Sequence, residues 1–184
     1  MRFFWAGLAK HRQTGGIVPS QRFLVAKMIA PVPVTYRGRI LELGAGNGAI
    51  TLPLAEKCPA AHILACEINP ILAKDNRQKL SKAGIDGRVE VTTTPAEIIL
   101  STMGSNGAEK PDFIISSLPL RNFGGKKACA LIETISLALG RGGMYIQFQH
   151  SKFDRDKISA RFPRMKTASV FLNIPPAIVY YAQR

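Results

Sequence analysis

With 184 residues, 46% of them hydrophobic and 20% charged, the chain is sized for one globular domain with a substantial core, which excludes a disordered segment. No apolar run reaches the roughly 18 residues of a membrane-spanning helix. Three cysteines and three histidines show no ligand spacing, so neither a metal site nor a disulfide framework is expected. The formal net charge of +13 is unevenly placed. Seven bases and no acids precede Glu42, five bases and no acids follow Asp156, and the thirteen bases between them meet all twelve acids. Such basic ends suggest a polyanionic partner, either nucleic acid or an anionic membrane surface; improved solubility is the plainer alternative.

In chain order, residues 2–12 suit a short helix with Phe4, Trp5, Leu8 and Ala9 on or near one face and Lys10, His11 and Arg12 at its end. This start resembles a signal peptide, but the apolar stretch is short, bases close it and no small-residue cleavage site follows, so a cytoplasmic protein is predicted. Aromatics beside bases suit a helix lying in a membrane interface, and a helix packed on the domain or lidding a cleft fits equally. Gly15 to Ser20 breaks the pattern. Ser20 is a plausible N-cap for a second helix over about 21–30, ended by Pro31-Val32-Pro33. Residues 1–38 are therefore read as N-terminal helices and 39–184 as the main domain.

From residue 39 strand and helix patterns alternate. Strands are predicted near 39–43, 61–67, 88–92, 112–117 and 144–149. The helices between them are predicted near 48–57, from Pro70 to 82, from Pro95 to 103, and over 125–139. A further helix is expected near 154–161. Strands near 167–172 and 176–182 follow, joined through Asn173-Ile174-Pro175-Pro176, a link too short for a parallel crossover, so these two must pair antiparallel. The result is an α/β fold: a mostly parallel, doubly wound sheet with one reversed strand.

The densest motif is Glu42-Leu43-Gly44-Ala45-Gly46-Asn47-Gly48 at the end of the first strand. Glycines there let the backbone turn sharply and a ligand approach it, while the next helix turns its N-terminal amides to the same crevice. Glu67 ends the second strand, where an acid can bind ribose hydroxyls. Thr94-Pro95-Ala96-Glu97 follows the third, and Ser116-Ser117-Leu118-Pro119-Leu120 closes the fourth. Gly44, Gly46 and Ala49 also satisfy the relaxed dinucleotide fingerprint, yet the chain is short for a dehydrogenase. Glu42-x-Gly44-x-Gly46-x-Gly48 resembles motif I of the class I S-adenosylmethionine-dependent methyltransferases, and the closing hairpin resembles that of their seven-stranded, Rossmann-like sheet. By that resemblance Gly44, Ala45, Gly46, Asn47 and Gly48 would line the methionine and ribose. Glu67 would hold the ribose, Ile68 would flank the adenine, and Pro95, Ala96 and Glu97 would edge it, with Ser116 at the end of the fourth strand. Pro95 departs from the acid that many members carry there to accept from the adenine amine.

Ser117-Leu118-Pro119-Leu120 stands where adenine methyltransferases carry Asn-x-Pro-aromatic. Ser117 replaces the Asn, and Leu120 removes the aromatic that would stack on a flipped base. Taken with Gly16-Ile17-Val18-Pro19-Ser20, the glycine motif, Ile115 to Pro119 and Asn173-Ile174-Pro175-Pro176-Ala177, the order and spacing resemble the short bacterial phospholipid N-methyltransferases. That resemblance implies methylation of phosphatidylethanolamine toward phosphatidylcholine by a peripherally membrane-associated enzyme on the inner face of the cell membrane, with residues 2–12 as its docking helix. Ser117, the Leu118 carbonyl and Pro119 would then orient the amine. Gln149, His150 and Tyr36 would contact the amine or phosphate; His150 is either a proton relay or a surface histidine with no role. RNA or small-molecule methylation, and a non-catalytic binding module on the same fold, are the alternatives.

Overall fold

A computed structural model describes residues 21–104 and 109–184. Residues 2–12 and the Gly16 to Ser20 motif lie outside them. Ordered elements are α1 (Gln21–Ile29), β1 (Arg39–Leu43), α2 (Thr51–Lys57), β2 (His62–Cys66), α3 (Pro70–Lys82) and β3 (Val89–Thr92). They continue with α4 (Ala96–Gly104), β4 (Phe113–Ser116), α5 (Gly125–Ala138), β5 (Met144–Gln149), α6 (Arg155–Ser159), β6 (Arg164–Val170) and β7 (Ala177–Gln183).

The strands form one seven-stranded sheet in the order β3-β2-β1-β4-β5-β7-β6. Four of its pairs are parallel, β6–β7 is the expected antiparallel hairpin and β5–β7 is antiparallel as well, so β7 alone is reversed. The strand order reverses between β1 and β4, which opens a crevice at the carboxyl ends of those two strands.

Two apolar layers hold the sheet. On one face Leu24, Val25 and Met28 of α1, Leu54 of α2 and Leu80 of α3 pack with Ile40, Ile63 and Ile146. On the other, Leu100 of α4, Leu131 and Ile135 of α5 and Ile158 of α6 pack with Leu41, Leu43, Ile114 and Tyr145. Central strands buried on both faces must be apolar throughout, which is why β1 and β4 read as near-continuous hydrophobic runs. α1 is part of this core: Tyr181 Oη donates to its Lys27 carbonyl, and Lys57 Nζ to the carbonyls of Ile29 and Ala30.

The elements differ from expectation in three places. α2 begins at Thr51 rather than at 48, because Gly44, Gly46 and Gly48 all take positive φ and the chain winds through turns before the helix can start. β6 runs from Arg164 to Val170, so its exposed bases Arg164 and Lys166 lie on the edge strand, where charge discourages further pairing. Phe171 and Leu172 fall into the hairpin loop, which spans six residues because Val170 and Ala177 are the last pair. A 3₁₀ turn over Leu120–Phe123 was not expected from the sequence.

Candidate active site

The crevice is lined by Gly44, Cys66, Glu67, Ile68, Pro95, Ala96, Glu97, Leu118 and Phe123, contributed by the ends of β1 to β4. Glu67 is the organising group. Its Oε2 accepts from the Gly46 amide at 2.8 Å and its Oε1 from the Asn69 amide at 2.8 Å, which locks the glycine turn to the start of α3. Asn69 caps that helix by accepting from Ile71 N, with Pro70 at the first helical position, so the chain leaves β2 at a fixed angle. Each carboxylate oxygen has a second lone pair for a ligand hydroxyl.

Two glycines are required by space as well as by φ. A Cβ on Gly44 (φ 75°) would come within 3.1 Å of Leu118 Cδ2 and fill the crevice. A Cβ on Gly48 (φ 87°) would collide with Asn76 Oδ1, whose Nδ2 is held by Thr51 Oγ1 at 3.1 Å. Ala45 is buried and its amide donates to the Cys66 carbonyl. The Asn47 carbonyl accepts from Lys79 Nζ at 2.9 Å. Glu42 is fully buried on the α1–α2 side of β1.

Cys66 forms part of the crevice and is also core, with its Sγ donating to the Thr94 carbonyl at 2.9 Å. Burial, reinforced by the charges of Glu67, Glu97 and Glu42, pushes its thiol up to about 12. A neutral, weakly polar surface therefore faces the ligand. Glu97 is exposed in the first turn of α4, while Ala96 is buried beneath it.

The turn after β4 is braced from β5. Tyr145 Oη donates to Gln147 Oε1 at 2.6 Å, and Gln147 Nε2 donates to the Leu118 carbonyl at 3.0 Å. Gln149 Nε2 reaches the same carbonyl at 3.3 Å. The Leu118 oxygen thus already accepts two amide hydrogens. Ser116 Oγ is buried and accepts from the Leu118 amide, so it shapes the turn from beneath. Ser117 Oγ is buried in this turn, outside the crevice lining, with no partner among the described residues. Leu120 is fully buried and offers no plate to a ligand. Phe123, three residues on, is the aromatic at the crevice, and only the unforeseen 3₁₀ turn brings it there.

His150 is exposed beyond β5, its ring edge-on to Phe148 and its Nδ1 3.1 Å from the Pro176 carbonyl. That contact favours the tautomer protonated on Nδ1 and ties the loop after β5 to the β6–β7 hairpin. Tyr36 must be withdrawn from the site. Its hydroxyl bonds Asp112 Oδ2 at 2.7 Å and lies 3.1 Å from the Arg39 carbonyl, at the amino ends of β4 and β1. Those are the opposite ends of the strands that end in the crevice, so Tyr36 fastens the bottom of the sheet. Burial and the hydrogen bond to Asp112 raise its pKa. A larger cavity, about 930 Å³, lies at that amino end. Three of the four arginines around it are engaged, Arg39 with Glu109 and Arg77 and Arg88 with backbone carbonyls; Arg37 is the fourth.

A glycine cradle at the switch point, a carboxylate ending β2 and a closing antiparallel hairpin define the class I S-adenosylmethionine-dependent methyltransferase architecture. Residues 41–145 match the family model described as a methyltransferase domain, and the chain belongs to that family. It is an S-adenosylmethionine-dependent methyltransferase. The chain is 24% identical to an ornithine lipid N-methyltransferase of Singulisphaera acidiphila over 100% of its own length and 97% of the relative's. Among solved structures it is similar to the N-methyltransferase NodS from Bradyrhizobium japonicum in complex with S-adenosyl-L-homocysteine. That match has a TM-score of 0.74 and 12% identity, covering 98% of each chain. It is also similar to a 16S rRNA N2 G1207 methyltransferase of T. thermophilus in complex with AdoMet and guanosine, with a TM-score of 0.70 and 22% identity. There it covers 94% of this chain but only 45% of the other, so this chain spans less than half of that protein.

The residues fit the cofactor. Gly44 leaves its backbone bare at the crevice wall, Glu67 keeps lone pairs for ribose hydroxyls, and Ile68, Pro95 and Ala96 supply apolar walls for a base. Among the described residues no helix is long and apolar enough to cross a membrane.

Proposed function

We propose that the chain N-methylates the amine of a membrane lipid at the membrane surface, with phosphatidylethanolamine as the expected headgroup. The observation that carries this is similarity end to end with an enzyme named for N-methylation of an ornithine lipid. Both headgroups offer a primary amine on a diacyl-type amphiphile, and the two are separated by assay rather than by the fold. The buried Leu120, where base methyltransferases stack an aromatic, weighs against a flipped nucleobase. The basic ends of the chain complement anionic lipid, each base near such a leaflet contributing about 1 kcal/mol.

S-adenosylmethionine, when bound, supplies a methyl group on a positively charged sulfur. The chain's part is binding and alignment: Gly44 to Gly48 and Glu67 hold the donor, and Leu118 and Phe123 wall off the acceptor side. Ser117 Oγ, which has no partner among the described residues, takes an N–H of the amine and aims its lone pair. The Leu118 carbonyl, committed to Gln147 and Gln149, acts by fixing the turn rather than by holding the amine. A neutral amine is already a nucleophile, so alignment and exclusion of water supply most of the acceleration. His150, exposed and engaged at Nδ1 with the Pro176 carbonyl, passes the released proton to solvent in this reading.

The test is incubation of the full chain with labelled S-adenosylmethionine and vesicles of phosphatidylethanolamine, of ornithine lipid, or of neither, with ribosomal RNA as a separate arm. Label in the lipid phase is expected. Label in RNA with none in either lipid would replace this reading with the RNA methyltransferase alternative, which the likeness to an rRNA methyltransferase keeps in play.

A further inference from the structure

The hairpin between β6 and β7 inverts the usual polarity of a water-facing loop. Its polar residue, Asn173, is buried, with Nδ2 donating to the Pro175 carbonyl at 2.7 Å. Its apolar residues are turned outward: Phe171 is 80% exposed, Leu172 65% and Ile174 83%. Phe153, 72% exposed, stands on the neighbouring loop, which the contact between His150 and the Pro176 carbonyl joins to the hairpin. A soluble surface rarely gathers large apolar side chains in this way without a partner.

The position of this patch narrows the partner. Val170 and Ala177 close the hairpin beside Gln149, the last residue of β5, so the patch lies on the same edge of the sheet as the crevice. Ile71 and Ile98, exposed in the first turns of α3 and α4 after β2 and β3, stand at the same ends of the strands on the far side of the crevice. Exposed bases accompany it: Arg121, stacked 5.1 Å from the Phe153 ring, Lys152 and Arg155 in the chain on either side of Phe153, and Lys126 and Lys127 in the first turn of α5. Apolar tips accompanied by bases match a bilayer with anionic headgroups, in which the tips enter the acyl boundary while the bases meet phosphates.

We infer that the β6–β7 hairpin, with Phe153, is a membrane-insertion element that seats the crevice mouth on an anionic lipid bilayer. This rests on the lipid-methylation reading for its purpose, but its geometry stands apart from residues 2–12. Because the tip and the crevice share one edge, insertion brings lipid headgroups to Ser117 without extracting a lipid from the membrane.

The test is co-sedimentation of the full chain with vesicles of phosphatidylethanolamine and phosphatidylglycerol. The F171S/L172S/I174S variant is expected to lose binding by on the order of tenfold or more, as burial of these side chains requires. Its melting temperature and cofactor affinity should stay at the wild-type values. The single variants Phe171→Ser and Ile174→Ser should each lose several-fold, so a folding defect in the triple variant would not blunt the test. V34S/L137S, at exposed positions on the opposite edge of the sheet, should bind as the wild type does. Wild-type binding by the folded hairpin variants, an equal loss in V34S/L137S, or no vesicle binding by the wild type would each overturn the inference. Methylation of micelle-dispersed lipid reads the enzymatic proposal separately. Hairpin-dependent binding without that methylation keeps the insertion element and removes the acceptor, whereas methylation with hairpin-independent binding does the reverse.

Discussion

The Glu67 carboxylate accepts the Gly46 amide at 2.8 Å across 21 positions of sequence, so the acid expected to hold a ribose also holds the loop that cradles it. Its second oxygen does the same for Asn69. Glu67→Ala should therefore lose on two counts. Cofactor affinity by calorimetry should fall roughly a hundredfold, about 2–3 kcal/mol, the scale of hydrogen bonds to a charged group. Thermal unfolding should also show a loss of about 1–3 kcal/mol, because two amides lose their partner. Unchanged cofactor affinity would show that the ribose is held elsewhere.

Gly48→Ala should destabilise the protein by about 2 kcal/mol or more, from the left-handed backbone together with the clash against Asn76 Oδ1. The double variant Gly48→Ala/Asn76→Ala removes the clash and leaves the backbone cost. Chemical denaturation of the two single variants and the double should thus show a favourable coupling energy. Strict additivity would mean that Asn76 moves aside freely.

Burial raises the Cys66 thiol from its ordinary value near 9 to about 12. Between those values the folded chain keeps a proton that the unfolded chain releases. The associated stability is therefore complete below about pH 9 and is lost as pH rises toward 12. Buried Tyr145 and Tyr180 and half-buried Tyr181 are shifted the same way and add to the alkaline decline. Mass spectrometry after brief iodoacetamide treatment at pH 9 should find exposed Cys129 modified and Cys66 untouched. Bound cofactor would protect nothing further at Cys66.

Tyr36→Phe deletes a hydroxyl at the amino end of the sheet, and should lower stability by about 1 kcal/mol while leaving kcat and cofactor affinity at wild-type values. Denaturation and steady-state kinetics on the same preparation check both halves. A fall in kcat without a fall in stability would return Tyr36 to the site.

Much of the architecture was legible because its cause is local. Short, mainly apolar runs bounded by turn signals read as strands, and β1 and β5 fall at the expected bounds. The short Asn173 to Pro176 link demanded an antiparallel hairpin. Misplaced boundaries fall where tertiary context competes with local pattern, as at β6, whose exposed bases Arg164 and Lys166 look like loop until their pairing with β7 is seen. The site was legible in the same measure: Gly44, Glu67, Ile68, Pro95, Ala96, Glu97 and Leu118 converge on one crevice because each ends a parallel strand or begins the loop after it.

Sequence alone determined the α/β class and the glycine cradle, since these depend on residues within a few positions of each other and on the fixed handedness of parallel crossovers, and its motifs named the methyl donor through their resemblance to methyltransferases. Only the tertiary structure could decide which side chains share an edge of the sheet. Tyr36 left the site because it precedes β1 and so meets the wrong end of the strands. Phe123 entered it because an unforeseen 3₁₀ turn folds back on the crevice. The Leu118 carbonyl proved to be occupied because Gln147 and Gln149 share one face of β5. The outward apolar tip of the hairpin was hidden for the same reason. Phe171, Leu172 and Ile174 read as strand or linker until the register of β6 with β7 turns Asn173 inward and leaves them outside.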